Sequence, residues 1–156
     1  REASIVNDVV EAAREAGLPG RNITVEVTES MQLQDYNYFN NIFSNWRNKE
    51  IHVSIDDFGT GYASYARLKS VDADILKIDG SFIRNIVNNS LDYQIVASIC
   101  HLARMKNMLV VAEYVETEEI RSAVHALGID YVQGYLIGKP VALESLSEEE
   151  ASQADA

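Results

Sequence analysis

The sequence predicts an α/β protein with a parallel sheet covered by helices, and it favours a (β/α)8 barrel over an open doubly wound sheet. The first observation is an opening helix followed by five strand-and-helix units at roughly 20- to 36-residue spacing, the alternation that parallel strands require. The second is that each strand carries an ionisable or amide side chain at or just past its C-terminal end: Glu26 and Glu29, Asp56 and Asp57, Lys77 and Asp79, Glu113 and Glu116, and Gln133. An isolated charge in an apolar strand is costly unless it is paired or metal-bound, so a set in phase at one end points to a common site. An open sheet gathers its site at one switch point, whereas a barrel draws on nearly all its strands. One or two of these residues, Glu116 among them, could equally begin the next helix. A whole barrel takes eight strands and about 250 residues. A chain of 156 residues therefore supplies about five of its βα units.

The elements follow in order from periodicity and caps. Ile5, Val6, Val9, Val10 and Ala13 recur at helical spacing until Gly17, after which Pro19 and Gly20 make a loop. Residues 23–28 are β-branched and alternating, a strand. Asp35 is the expected cap of a helix whose Phe39, Ile42, Phe43 and Trp46 share a face. The second strand is 51–57; beyond Gly59 a short helix carries Tyr65 and Leu68, and the third strand is 75–79. Ser81 and Ser90 are the expected caps of one short and one long helix, the latter apolar at Ile95, Ile99 and Leu102. Residues 109–114 read as a buried parallel strand. Thr117 caps a helix over 120–127 that ends at Gly128, and 131–136 is the fifth strand. Residues 1–146 are expected to form the C-terminal part of a barrel domain, and 147–156, opening Ser-Glu-Glu-Glu, an acidic, disordered tail.

Composition excludes several classes. With 47% apolar residues the chain can bury a sizeable core, and no apolar run approaches the ~20 residues of a membrane span. The single cysteine, Cys100, cannot form an internal disulfide, which favours a reducing, cytoplasmic compartment; it reads as a small buried apolar residue. A formal charge of −11 argues against DNA or RNA polymers as partners. An anionic ligand would need cations or a local neutralising site. His52, His101 and His125 lack ligand spacing and read as surface residues.

The chemistry centres on residues 52–61, where an apolar alternation runs into Asp56-Asp57 and then Gly59 and Gly61. On an extended backbone these aspartates should point to opposite faces, one into the interior and one to the rim. Carboxylates that close raise each other's pKa, and a shared divalent cation relieves the repulsion. The glycines allow positive φ and close approach to a ligand. An Asp-initiated turn is the plainer alternative. Asp57-Phe58-Gly59 matches a kinase metal motif by chance, without the loops that accompany it, and Gly59-Thr60-Gly61 lacks the third glycine of a dinucleotide fingerprint.

Five segments together resemble the EAL family of bacterial cyclic-di-GMP phosphodiesterases. They are Glu26-Val27-Thr28-Glu29-Ser30, Asp56 to Tyr62, Leu76-Lys77-Ile78-Asp79, Val111-Ala112-Glu113 with Val115-Glu116-Thr117, and Gln133-Gly134-Tyr135 with Pro140. The resemblance covers essentially the whole chain before the tail. It implies a (β/α)8 barrel and hydrolysis of cyclic-di-GMP to linear pGpG with two Mg2+ or Mn2+ ions. It further implies that Glu26 and Asp56 ligate the first metal, while Asp57 helps hold the second and the attacking water. Lys77 would orient that water or stabilise the transition state, Glu113 would be general base, and Gln133 would position water or substrate. Tyr135 and Pro140 would contact substrate; Glu29 would anchor the loop from Gly59 to Ser64, with Glu116 and Asp79 in support. A homodimer and attached sensory or cyclase domains are also implied, and the alternative is a degenerate, non-catalytic cyclic-di-GMP sensor or protein-interaction module. The family's Glu-Ala-Leu segment and an Asn would precede Arg1, so residues 1–156 alone are expected to lack competence and to need closing strands. Tyr114 stands where the family usually has Gly.

Overall fold

The computed structural model describes residues 2–28, 36–59 and 69–142. Helix α1 (Glu2–Glu15) and a short 3-10 turn (Gly20–Asn22) lead into β1 (Thr24–Thr28). Then come α2 (Tyr36–Arg47), β2 (His52–Phe58), β3 (Ile75–Ile78), the one-turn α3 (Gly80–Ile83), α4 (Ser90–Met105), β4 (Leu109–Ala112), α5 (Glu118–Ala126) and β5 (Tyr131–Val132). The strands form a five-stranded sheet in the order β1-β2-β3-β4-β5, every neighbouring pair parallel. The α/β reading holds. Sequential order with parallel pairing is what successive right-handed crossovers build as they wind toward a barrel. Among the described residues no further strand pairs with β1 or β5, so the closing strands expected from the edges are not seen.

Period-two alternation divides the strands between two faces. Val27, Val53, Ile55, Leu76, Ile78, Val110 and Ala112 turn toward the helices and join Phe43 and Trp46 of α2 with Val96, Ile99, Cys100 and Ala103 of α4 in one core. Cys100 is wholly buried as expected, and burial pushes its thiol up to about 11. Glu26, Ser54, Asp56, Lys77 and Val111 point the other way. That face is thinly covered at its margins, where Leu109 and Tyr131 are 41% and 57% exposed.

The N-terminal strand ends are pinned by acids. Asp74 Oδ2 accepts from Val53 N and Asp130 Oδ2 from Val110 N, both at 2.8 Å. Asp74 Oδ1 also accepts from Arg47, whose Nη1 reaches Asp72 at 2.8 Å.

Several boundaries differ from expectation. The caps of α3 and α4 are Asp79 and Asn89, one to two residues ahead of the serines: Asp79 Oδ1 accepts from Ser81 N at 2.8 Å, and Asn89 Oδ1 from Leu91 N at 3.0 Å. Their extended backbones aim a short polar side chain at the unpaired amides of the first turn, which the serines, already helical, cannot do. Thr117 does cap α5, with Ile120 N donating to its Oγ1 at 3.3 Å. Strand β4 stops at Ala112 because Tyr114 adopts φ 55°, and β5 spans only two residues because a turn follows at Gly134. Asp35, Tyr65, Leu68 and the expected tail lie outside the described residues.

Candidate active site at the C-terminal strand ends

The site begins with a bulge. Ile55 pairs with Leu76 but Phe58 pairs with Ile78, so β2 carries one residue more than β3 over this stretch. Asp57 absorbs the excess at φ 55°, a left-handed conformation that Asp tolerates better than most residues. The expectation that Asp56 and Asp57 face opposite sides is thereby overturned: alternation fails where the strand bulges. Asp56, Asp57 and Glu113 each bring a carboxylate oxygen within 4.8 Å of the others.

Lys77 sits at the centre of the charge. Its Nζ lies 3.0 Å from Asp56 Oδ1, 3.0 Å from Glu113 Oε1 and 3.1 Å from Glu26 Oε1, and the side chain is only 9% exposed. Parallel register explains the convergence, since Lys77 on β3 lies between β2, bearing Asp56, and β4, which leads into Glu113. Burial alone would push the ammonium pKa down, but three carboxylates outweigh it and hold it above the ordinary 10.5. Burial raises Glu113, with Lys77 opposing; burial, then Asp56 and Asp79, raise Asp57. This is a site that resists holding its full negative charge without a cation.

The donor set fits a hard divalent ion, because three carboxylate oxygens at such mutual distances match the oxygen ligation that Mg2+, Mn2+ and Ca2+ take. Asp56, whose Oδ1 is buried 3.0 Å from the Lys77 ammonium, belongs to this donor set.

A cleft of about 450 Å³ opens over these groups. Asp56, Asp57, Glu113, Gln133 and Tyr135 line it, as do Asp79 and Glu116, all singled out from the sequence. Glu26 reaches the centre through Lys77 and stands outside the three-carboxylate cluster. Pro140 is exposed and does not line the cleft, while Glu29 and the loop from 60 to 64 lie outside the described residues. His52, His101 and His125 are exposed, as expected.

Residues 1–140 match the family profile described as the EAL domain. The chain belongs to the EAL domain family. It is 68% identical over 124 residues to the Escherichia coli (strain K12) protein named cyclic di-GMP phosphodiesterase PdeF, a match covering 79% of this chain and 17% of that protein. A solved structure titled PaMucR phosphodiesterase, c-di-GMP complex, superposes with a TM-score of 0.82 at 38% identity, covering 90% of this chain and 57% of the other. A manganese and cy-diGMP complex of Klebsiella pneumoniae BlrP1 gives 0.78 at 30% identity, covering 84% and 33%. The EAL chain thus spans about a sixth of the length of that curated relative. EAL structures are TIM-like barrels, so the barrel expectation stands, with five parallel strands among the described residues.

Besides Gly134, two cleft residues of this EAL chain, Tyr114 and Arg84, were not picked out as site residues. Tyr114 rests its ring on Gly80, where an added Cβ would overlap Tyr114 Cδ2, and the Arg84 guanidinium lies over that ring at 4.0 Å from its centroid. Tyr114 follows Glu113 at a strand end, which is a usable signal. Arg84 carries none, because only the tertiary fold brings α3 beside the end of β4.

Proposed function

We propose that this EAL chain is part of the catalytic domain of a cyclic-di-GMP phosphodiesterase, which opens one phosphodiester bond to give linear pGpG with Mg2+ or Mn2+. The observation that carries the proposal is the meeting of Asp56, Asp57 and Glu113 around Lys77 at the C-terminal strand ends, where barrel enzymes keep their chemistry. The relative's name and the solved complexes support the substrate, and the manganese complex supports a divalent ion. In this reading Asp56 and Glu26 hold a first ion and Asp57 a second. Bound there, the ions would supply Lewis-acid charge to the phosphodiester and its attacking water.

The remaining roles belong to the side chains. Glu113, with its pKa raised by burial, suits a general base, since a base works best with a pKa nearer the operating pH. Lys77 stays protonated and offers a fixed positive charge to the water or to the developing phosphorane charge. Gln133 is a neutral donor on the cleft wall, and Tyr135 offers a ring for a base. The proposal keeps residues 1–146 as part of one barrel domain, and it includes a cytoplasmic homodimer with attached domains.

The test is incubation of the full-length protein with cyclic-di-GMP and Mg2+ or Mn2+, with pGpG separated by chromatography. Turnover that stops on chelation supports the proposal. Tight binding without turnover would favour the sensor, and neither binding nor turnover the interaction module.

A further inference from the structure

The cleft that holds the carboxylates poses an electrostatic problem for the ligand proposed above. Among its described lining residues are five acids, Asp56, Asp57, Asp79, Glu113 and Glu116, and a single cation, Arg84. Cyclic-di-GMP carries two phosphates. The cluster of Asp56, Asp57 and Glu113, loaded with metal, serves the one being cleaved; the other must lie in an acidic cleft with its charge unmatched unless a cation meets it.

Arg84 is held ready for that purpose. It is exposed, and among the described residues its guanidinium makes no hydrogen bond or ion pair, although Asp79 and Glu116 line the same cleft. What holds it is the ring of Tyr114, 4.0 Å from the guanidinium carbon. Tyr114 is in turn fixed from below by Gly80, whose missing side chain leaves room for the ring, and its backbone sits at φ 55°, a strained conformation for an aromatic residue. With its carbon over the Tyr114 ring and no carboxylate bonded to it among the described residues, the guanidinium has N–H groups available to meet a phosphate, which it can do in bidentate fashion.

We propose that Arg84, positioned by Tyr114 on Gly80, binds the phosphate of cyclic-di-GMP that is not cleaved. This rests on the phosphodiesterase reading. Arg84 is the contact residue and Tyr114 a positioning residue, and neither takes part in bond cleavage.

The test is steady-state kinetics on the full-length protein with cyclic-di-GMP and Mg2+, repeated over a range of NaCl concentrations. Losing a charge-assisted contact to a phosphate should raise KM about ten- to hundredfold in Arg84→Gln, with kcat within about threefold and a weaker salt dependence of KM. Tyr114→Phe should keep the wild-type KM, because Phe also supports the stack. Tyr114→Gly should raise KM, add nothing further in the Arg84→Gln background, and melt no lower than wild type, since Gly relieves the backbone. An unchanged KM in Arg84→Gln overturns the inference, and so does a raised KM whose salt dependence is unaltered, which would mean contact with a base. Equal losses from Tyr114→Gly in both backgrounds overturn the positioning role. A wild-type protein without turnover overturns the phosphodiesterase reading itself and this inference with it, an outcome distinct from the others.

Discussion

Lys77 Nζ lies 3.0 Å from Glu113 Oε1, and the same ammonium reaches Asp56 Oδ1 at 3.0 Å and Glu26 Oε1 at 3.1 Å. One buried cation therefore compensates acids contributed by β1, β2 and the residue that follows β4. Without it, Asp56 and Glu113 would face each other with only water or metal between them.

Lys77→Met tests that arrangement. Removing the shared partner of half-buried carboxylates should cost about 3 kcal/mol of stability in the metal-free protein. Added Mn2+ should recover much of the loss by taking over the compensation. Thermal melts with EDTA and with Mn2+ would measure both, and a variant as stable as wild type in EDTA would show that the carboxylates do not need the lysine.

Asp57→Asn separates charge from backbone. Asn tolerates the left-handed φ that the bulge imposes, so the fold should be kept and the melt unchanged or slightly higher, while Mn2+ affinity falls at least about tenfold. Asp56→Asn, also in the full-length protein, should lower Mg2+-dependent turnover by orders of magnitude with the fold intact. Near wild-type turnover in Asp56→Asn would reduce Asp56 to a turn residue.

Acid should weaken metal binding at unusually mild pH. Asp57 and Glu113 are held above their ordinary values of 3.8 and 4.5, so the folded protein binds protons at these sites more tightly than the unfolded chain does. Their contribution to metal-free stability is thus unfavourable at neutral pH and is relieved as pH falls through the raised folded values. Protons and metal compete for the same oxygens, so Mn2+ affinity should begin to fall above pH 4.5. Calorimetric titration across pH 4–7, with Glu113→Gln as control, would show this; a midpoint at or below the ordinary carboxylate range would refute it.

At the opposite end of the sheet, Asp74→Ala should cost stability alone. Its carboxylate accepts from Val53 N at 2.8 Å and pairs with Arg47 at 3.2 Å, and losing a partly buried acceptor costs about 1–3 kcal/mol. Urea denaturation would read the loss. KM and kcat should not move, because the N-terminal face of such a sheet serves stability.

Much of this protein was legible along the chain. The alternation of helical and strand periods determined a parallel α/β sheet, since each apolar pattern can be buried in only one way. The acids, the lysine and the glutamine in phase at the strand ends marked the candidate site, because charges survive in apolar strands only when they share partners. Thr117 was readable as a cap for the same local reason, whereas Asp79 and Asn89 were displaced in favour of nearby serines, as caps depend on which residue is still extended. Tertiary structure alone decided three things. The bulge at Asp57 turned two neighbouring carboxylates to one site, and a bulge depends on pairing with β3 rather than on the sequence of β2. Lys77 was joined to Glu26, Asp56 and Glu113 by the register of four strands. Arg84 was laid on Tyr114 across thirty residues, and no periodicity records a contact made only when α3 and the end of β4 meet.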